Sequence, residues 1–506
     1  MFEIAELGHT LDKQTYNQLV PELRTQLLIA QQQLRNSDFP VIILISGVDG
    51  GGKGDVINLL NEWMDPRYIR TNAFGEPTDE ERERPTYWRF WRTLPPKGYI
   101  GIYVGSWYSD PLSKHVYGLL DEAGLHQELV NIRMLEKELT DDGALIIKCW
   151  LHLKKETQKQ RIKNLEKDEN TRWQVTEKDK RHLKLYDQFC VSAEKVLKAT
   201  STDYAPWLIV DGSDIRHSSL TVGQHILERI THHLALRQQA KTQTPAPSVA
   251  PLLDPAHPLT PRCILSALDL SLNLDKKRYD SDLANYQAKL ARLVRAAREK
   301  KRSSILVFEG WDAAGKGGAI RRITHAIDAR NYQVIQIAAP TDEERQHHYL
   351  WRFWRHIPRA GQVTIYDRSW YGRVLVERVE KFATREEWMR AYSEIVHFEE
   401  ALTRHGILLL KFWLHIDPDE QLKRFKEREL IPYKQHKITA EDYRNRDKWA
   451  DYEHAVNDMV ARTSTQNAPW YLIEANDKRY ARIKILKTYC ERLEALLAGN
   501  GREKTP

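Results

Sequence analysis

The residues best suited to chemistry are Gly310-Trp311-Asp312-Ala313-Ala314-Gly315-Lys316-Gly317-Gly318, a GxxxxGK spacing that follows an apolar run and precedes a helical pattern. Glycines here let successive backbone N–H groups turn inward, and the start of a helix adds positive potential, so the stretch suits phosphate oxygens. Lys316 brings a point charge to the same oxygens. Such loops usually continue into Ser or Thr, whose hydroxyl reaches Mg²⁺. Gly317 stands there instead, so other groups must hold the metal. Asp312 would repel bound phosphate unless it serves Mg²⁺ or positions an acceptor; its plainer role is a turn or cap carboxylate.

A second cluster lies downstream. Val363-Thr364-Ile365-Tyr366-Asp367 reads as an apolar strand ending in a carboxylate, the place for the Mg²⁺-side acid behind a phosphate loop. Arg368 follows at once and Arg373 soon after, guanidinium groups suited to charge that builds on a transferring phosphoryl group. A basic stretch then carries Arg424, Lys426 and Arg428, followed by Lys434. Arg424 and Arg428 share a helix face. This reads as a lid that contacts a polyanion, against the simpler reading of a solvated helix. Arg345, Arg352 and Arg355 sit in an Arg/Trp-rich stretch and are expected on the acceptor side, with the tryptophans packing.

All these residues belong to the second of two copies. Lys53 in GVDGGGKG and Lys316 stand 263 residues apart, and the same offset pairs Leu11-Asp12-Lys13 with Leu274-Asp275-Lys276, Trp88–Arg92 with Trp351–Arg355, and Ala205-Pro206-Trp207 with Ala468-Pro469-Trp470. At this register Asp367, Arg368 and Arg373 face Val104, Gly105 and Asp110, while Arg428 and Lys434 face Leu165 and Thr171. The first copy keeps the phosphate loop and its Lys but has lost the acid and its cations. It reads as a decayed twin of a working domain.

The elements that must position these groups follow from periodicity. Leu11–Leu34 and Leu274–Lys300 predict long amphipathic helices, the second with Leu283, Tyr286, Leu290, Leu293 and Ala297 on one stripe. Val41–Ile45 and Ile305–Phe308 predict buried strands before the loops, and Gln333–Ile337, Val363–Tyr366, Ile407–Leu414 and Trp470–Ile473 predict further strands in the second copy. Strand and helix alternate, which implies crossovers and a parallel sheet with helices on both faces, an α/β class in two tandem copies. Residues 241–261 hold six prolines and predict a semi-rigid linker between domains at 1–240 and 262–506.

Composition bounds the rest. A chain of 506 residues exceeds one core, and 41% apolar residues suffice for two. The net charge of +7 suits an anionic substrate only if focused in a cleft, and no recognition helix or basic-aromatic sheet points to nucleic acid. The four cysteines form no CxxC pair, Cys149 reads as inert core, and neither a signal peptide nor a membrane span is visible. The protein reads as soluble and cytoplasmic. Self-association stays open.

Together GWDAAGKGG, PTDEER, YDRSWYGR and KERELIPYKQHK resemble the polyphosphate kinase 2 family, over nearly all of both halves. The tandem arrangement with one complete site is similar to the two-domain subclass that acts on polyphosphate and AMP. The resemblance implies a thymidylate-kinase-like P-loop fold. It also implies Mg²⁺-dependent movement of the terminal phosphate of inorganic polyphosphate onto AMP, giving ADP. Asp312, Lys316, Asp367 and Arg368 become the catalytic set, with Asp312 and Asp367 at the metal. Arg428 and Lys434 become polyphosphate contacts. Other readings stay open: a polyphosphate-dependent nucleoside diphosphate kinase making ATP or GTP, an ATP-dependent nucleoside monophosphate kinase, and a polyphosphate-binding protein without turnover.

Overall fold

A computed structural model describes residues 1–242, 264–430 and 440–499. Most of the proline-rich linker lies outside the described residues; Lys241 and Thr242 instead end the helix Ile215–Thr242. The described residues form two compact units, one built on each of two five-stranded sheets.

In the first unit the strands are β1 (Val41–Gly47), β2 (Ile69–Ala73), β3 (Ile100–Val104), β4 (Leu145–His152) and β5 (Trp207–Asp211), in the spatial order β2-β3-β1-β4-β5. The second unit repeats this with β6 (Ser304–Gly310), β7 (Tyr332–Gln336), β8 (Val363–Asp367), β9 (Leu408–His415) and β10 (Trp470–Glu474), in the order β7-β8-β6-β9-β10. Every pairing is parallel. The expected strands match to within one or two residues at each end. Parallel strands need crossovers, so both faces are covered and the strands read as continuous apolar runs; β4 and β9 are buried along their whole length.

The repeated short motifs have structural explanations. In Leu-Asp-Lys the aspartate caps the long helix: Asp12 accepts from the Thr15 N–H and Asp275 from the Arg278 N–H, each at 2.9 Å. The helices run Lys13–Arg35 and Lys276–Glu299, and Leu290, Val294 and Ala297 bury the stripe of the second. In Ala-Pro-Trp the indole N–H closes a turn, Trp207 onto Thr200 Oγ1 at 3.0 Å and Trp470 onto Thr463 Oγ1 at 2.9 Å.

The sheet order places the site. β6 is central, with β8 on one side and β9 on the other, so the chain reverses its direction of progress across the sheet at β6. A crevice opens at the carboxyl ends of strands at such a switch point. Gly310 lets β6 leave the sheet there. Its φ is 146°, and a Cβ would lie 2.5 Å from the Leu414 carbonyl oxygen of β9. Gly47 repeats the geometry against Leu151.

Candidate active site

The loop after β6 turns into the helix Lys316–Thr324, with Gly315 at its N-cap in the left-handed region at φ 112°. Gly317 and Gly318 continue the first turn. Ala313 and Ala314 are buried, and Ala313 takes φ 65° despite its side chain. The Lys316 ammonium folds back onto the loop and donates to the carbonyls of Gly310 at 2.6 Å and Trp311 at 3.3 Å. Those carbonyls hold it in place.

Asp367 ends β8 directly across from Phe308 of β6, two residues before Gly310. The tip of the acid strand therefore stands beside the strand that carries the loop. Arg368 turns sharply at φ 65° and donates its N–H to Phe308 O at 3.0 Å. Its guanidinium reaches back to Asp312 Oδ1 at 3.1 Å. Burial works against the Arg368 charge, but Asp312, Glu309 and Asp367 outweigh it and hold the group above its ordinary value. Asp312 also accepts from the Asn445 amide at 3.0 Å, and its backbone carbonyl accepts from Gln421 at 3.1 Å. Asp312 thus makes long-range contacts to Arg368 and Asn445 rather than capping a turn.

Glu309 and Asn445 escape the motif reading, and so do the partners of Trp311. Glu309, the last side chain of β6, is buried and accepts from Ser369 Oγ at 2.8 Å. Burial raises its pKa while Lys316, Ser369 and Arg368 pull it down. The 263-residue offset pairs it with Ser46, which is the signal that could have found it. Asn445 pairs with His182, whose Nδ1 contacts Asp49 in the same way. Trp311 stacks on Trp449 with centroids 3.7 Å apart and donates to His415 Nδ1 at 3.0 Å.

The basic stretch divides. Arg424 departs from the expected lid contact: it is only 2% exposed. It donates to Ala313 O and Ala314 O at 3.0 Å each, to Ala475 O at 2.7 Å and Asn476 O at 2.8 Å, with Glu420 at 2.6 Å. A guanidinium with its donors fixed on carbonyls braces the loop and is not available to a substrate. Lys426 is exposed on the same helix, Pro418–Glu429, and Arg428, one turn on from Arg424, is partly buried. Lys434 lies outside the described residues.

Arg373 pairs with Glu377 at 3.2 Å and covers the Tyr349 ring at 4.5 Å. On the expected acceptor side, Arg345 pairs with Asp342, Arg352 donates to Ala338 O at 3.1 Å, and Arg355 covers the Trp351 ring at 4.7 Å. Trp351 and Trp354 are buried, in keeping with a packing role.

Among the described residues no three His, Cys, Asp or Glu side chains converge as a metal cage. Magnesium does not need one: it binds through one or two carboxylates, with phosphates and waters completing the octahedron. Asp312 and Asp367 supply hard oxygen donors of that kind beside a loop built for phosphate.

The first copy keeps the loop and changes its surroundings. Lys53 donates to Gly47 O at 3.0 Å and Val48 O at 2.8 Å, and burial lowers its pKa against the pull of Asp49 and Asp179. Ser106, the twin of Ser369, is buried with no hydrogen-bond partner for its hydroxyl among the described residues. Arg161, the twin of Arg424, still braces the loop through Gly50 O and Ser213 O.

Comparison with known proteins gives matches along both copies. The model of the family Polyphosphate kinase 2 matches residues 10–238 and again 273–498. The chain is 54% identical over 496 residues to a polyphosphate:AMP phosphotransferase of Pseudomonas aeruginosa, covering 98% of this chain and 99% of the relative. It is 50% identical over 499 residues to the polyphosphate:AMP phosphotransferase of Pseudomonas syringae pv. tomato, covering 98% and 99%. A crystal structure of a polyphosphate kinase 2 from P. aeruginosa PA01 aligns with a TM-score of 0.87 at 50% identity, covering 99% of this chain and all of that one.

Proposed function

Because the chain belongs to the polyphosphate kinase 2 family, we propose that it moves the terminal phosphate of inorganic polyphosphate onto AMP, giving ADP and a chain one phosphate shorter. The reaction runs in the second copy, residues 262–506. Residues 1–240 form a degenerate copy without turnover. The observation that carries this reading is the cluster of Asp312, Asp367 and Arg368 around the Lys316 loop, together with its loss at Val104 and Gly105.

The polyphosphate end lies on the loop 310–318, where backbone N–H groups and the helix start meet its oxygens. Lys316 exchanges its two loop carbonyls for donor oxygens. Lys426 and Arg428, with Lys434, follow the chain outward. AMP lies on the side of Arg345, Arg352 and Arg355. An oxygen of its phosphate attacks the terminal phosphorus in line, and the bond from that phosphorus to the bridging oxygen breaks. Charge spreads over the transferring group, and Arg368, oriented by Asp312, stabilises it; Arg373 adds a second guanidinium. Asp312 and Asp367 are the residues that hold Mg²⁺, which supplies further neutralisation of phosphate charge when bound. Catalysis is chiefly positioning and electrostatics. The sparse cysteines, free at Cys149, Cys190 and Cys490, suit a cytoplasmic enzyme.

A donor and acceptor panel tests the proposal. The purified protein is incubated with Mg²⁺, either long-chain polyphosphate or ATP, and AMP, ADP or GDP. Rapid ADP formation from AMP with polyphosphate as sole donor is expected. Preference for ADP or GDP as acceptor would make it a diphosphate kinase, and a requirement for ATP would replace the donor.

A further inference from the structure

The charge changes between the two copies extend past the catalytic tip. The C-terminal helix Lys478–Ala498 packs against the loop helix and starts directly after Ala475 and Asn476, whose carbonyls Arg424 ties to the loop. Its first two turns carry Lys478 and Arg482. The Arg482 guanidinium lies against the first turn of the loop helix: a Cβ added at Gly318 would be 3.2 Å from its Nη2. Its hydrogen bond to Tyr279 Oη, at 3.5 Å, is long. Lys478 is about half exposed and has Glu427 only at 4.0 Å. Partial burial and then Arg424 disfavour the Lys478 charge, as does Arg482, against Glu427 and Glu420. Cations that outnumber the carboxylates near them are the arrangement a bound anion relieves.

The first copy has dismantled the same arrangement. Lys478, Arg482 and Gly318 face Ile215, Ser219 and Asp55. A cavity of about 790 Å³ still opens over the first loop, but Leu165 and Ile215 line it, and the carboxylates of Asp49, Asp55, Asp179 and Asp214 outnumber the cations Lys53, Arg161 and Arg216. That lining offers a polyanion no surplus of cationic side chains. We propose that Lys478 and Arg482 form a second cationic rail for the polyphosphate donor, running from the loop helix along the start of the C-terminal helix, opposite the Asp367 side of the crevice. The rail rests on the phosphotransfer reading above and assigns the donor half of that site.

The test uses the full-length protein with the substitutions the first copy carries, Lys478→Ile and Arg482→Ser, and Lys478→Arg as the charge-keeping control. Polyphosphate KM is expected to rise about tenfold in each of the first two, the scale of one lost charge-assisted contact. AMP KM and kcat should stay near wild type, and Lys478→Arg should recover most of the loss. Unchanged polyphosphate KM overturns the rail, and so does a fall in kcat with polyphosphate KM unaltered. If wild-type protein shows no transfer from polyphosphate, the functional reading fails by itself. Calorimetric titration with polyphosphate alone then decides the rail: weaker binding by both variants supports it, and equal binding overturns it.

Discussion

The two copies share an anchor and differ at the tip. In the first, Glu136 accepts from Lys148 at 2.7 Å, Tyr108 at 2.6 Å and Trp107 at 3.1 Å. In the second, Glu399 accepts from Lys411 at 2.7 Å, Tyr371 at 2.6 Å and Trp370 at 3.0 Å. Each lysine also caps a helix-end carbonyl, Thr200 O or Thr463 O. This buried network fixes the Trp-Tyr pair just after the strand tip, and it survives where the chemistry has gone. At the loop and at the strand tip, the second copy holds Ala313 and Arg368 in the left-handed region, where side chains cost about 1 kcal/mol each. The first copy places Gly50 and Gly105 there at φ 74° and 70°. The backbone path is kept and the strain is relaxed.

The sharpest way to break this comparison is to make the second copy resemble the first. Asp367→Ala is expected to lower kcat about a thousandfold, the scale of removing one preorganised charge-stabilising group. Val104→Ala at the twin position should leave turnover at the wild-type level. Steady-state assays of both variants measure the contrast, and near-normal activity in Asp367→Ala would remove the catalytic assignment.

The anchor should behave alike in both copies. Lys148→Met and Lys411→Met each leave a buried glutamate without its cation, at a cost of about 4 kcal/mol. Burial pushes Glu136 and Glu399 toward the neutral form and Lys148 and Lys411 likewise, so the network stands on its geometry rather than on two comfortable charges. Hydrogen exchange followed over β4 and β9 should report similar loss of protection in the matching unit. Turnover should fall in Lys411→Met alone. A large effect on one unit's protection and none on the other's would show that the anchors are not equivalent.

How far these differences were legible depends on the range of the interaction. The loop, the acid strand and the repeat offset are local patterns, and the strands and long helices followed from periodicity with small errors at the ends. Arg424 was misplaced because a basic helix looks the same from its sequence whichever face is buried; the carbonyls it binds lie more than fifty residues away in both directions. Lys411 was hidden in an apolar run, and its partner Glu399 belongs to a different element. Glu309 sat at the end of a strand pattern that needed no charge. Asn445 meets Asp312 across 133 residues. Periodicity reports burial and element type, and it is silent on which distant polar groups will share a pocket.

A pH experiment sharpens the comparison further. His415 accepts from Trp311, and burial lowers its pKa to about 4. Its twin His152 faces Glu6 at 3.0 Å, a carboxylate that partly offsets burial. A histidine with a depressed folded-state pKa contributes stability that is complete above its unfolded value near 6.5 and is lost as pH falls toward 4. His415 should therefore account for about 3 kcal/mol of acid destabilisation in that window. His415→Asn, which cannot take up the proton, should flatten the acid limb of a urea-midpoint curve more than His152→Asn does. Equal flattening would mean that Glu6 gives His152 no protection.

The smallest effect turns on a single hydroxyl. Ser369 donates to Glu309 in the second copy, whereas the twin of Glu309 is Ser46, and Ser106 is buried without a hydrogen-bond partner among the described residues. A buried hydroxyl with no partner costs about 1 kcal/mol or more relative to an apolar group of similar shape. Ser106→Ala should therefore stabilise the first unit by about 1 kcal/mol, while Ser369→Ala should destabilise the second by a similar amount because Glu309 loses a donor. Opposite signs for the same substitution at equivalent positions, read from protection of β1 and β6, would trace the decay of the first site to the loss of its carboxylate. The same sign in both would mean that Ser106 has found another partner, and that its site has been rebuilt rather than abandoned.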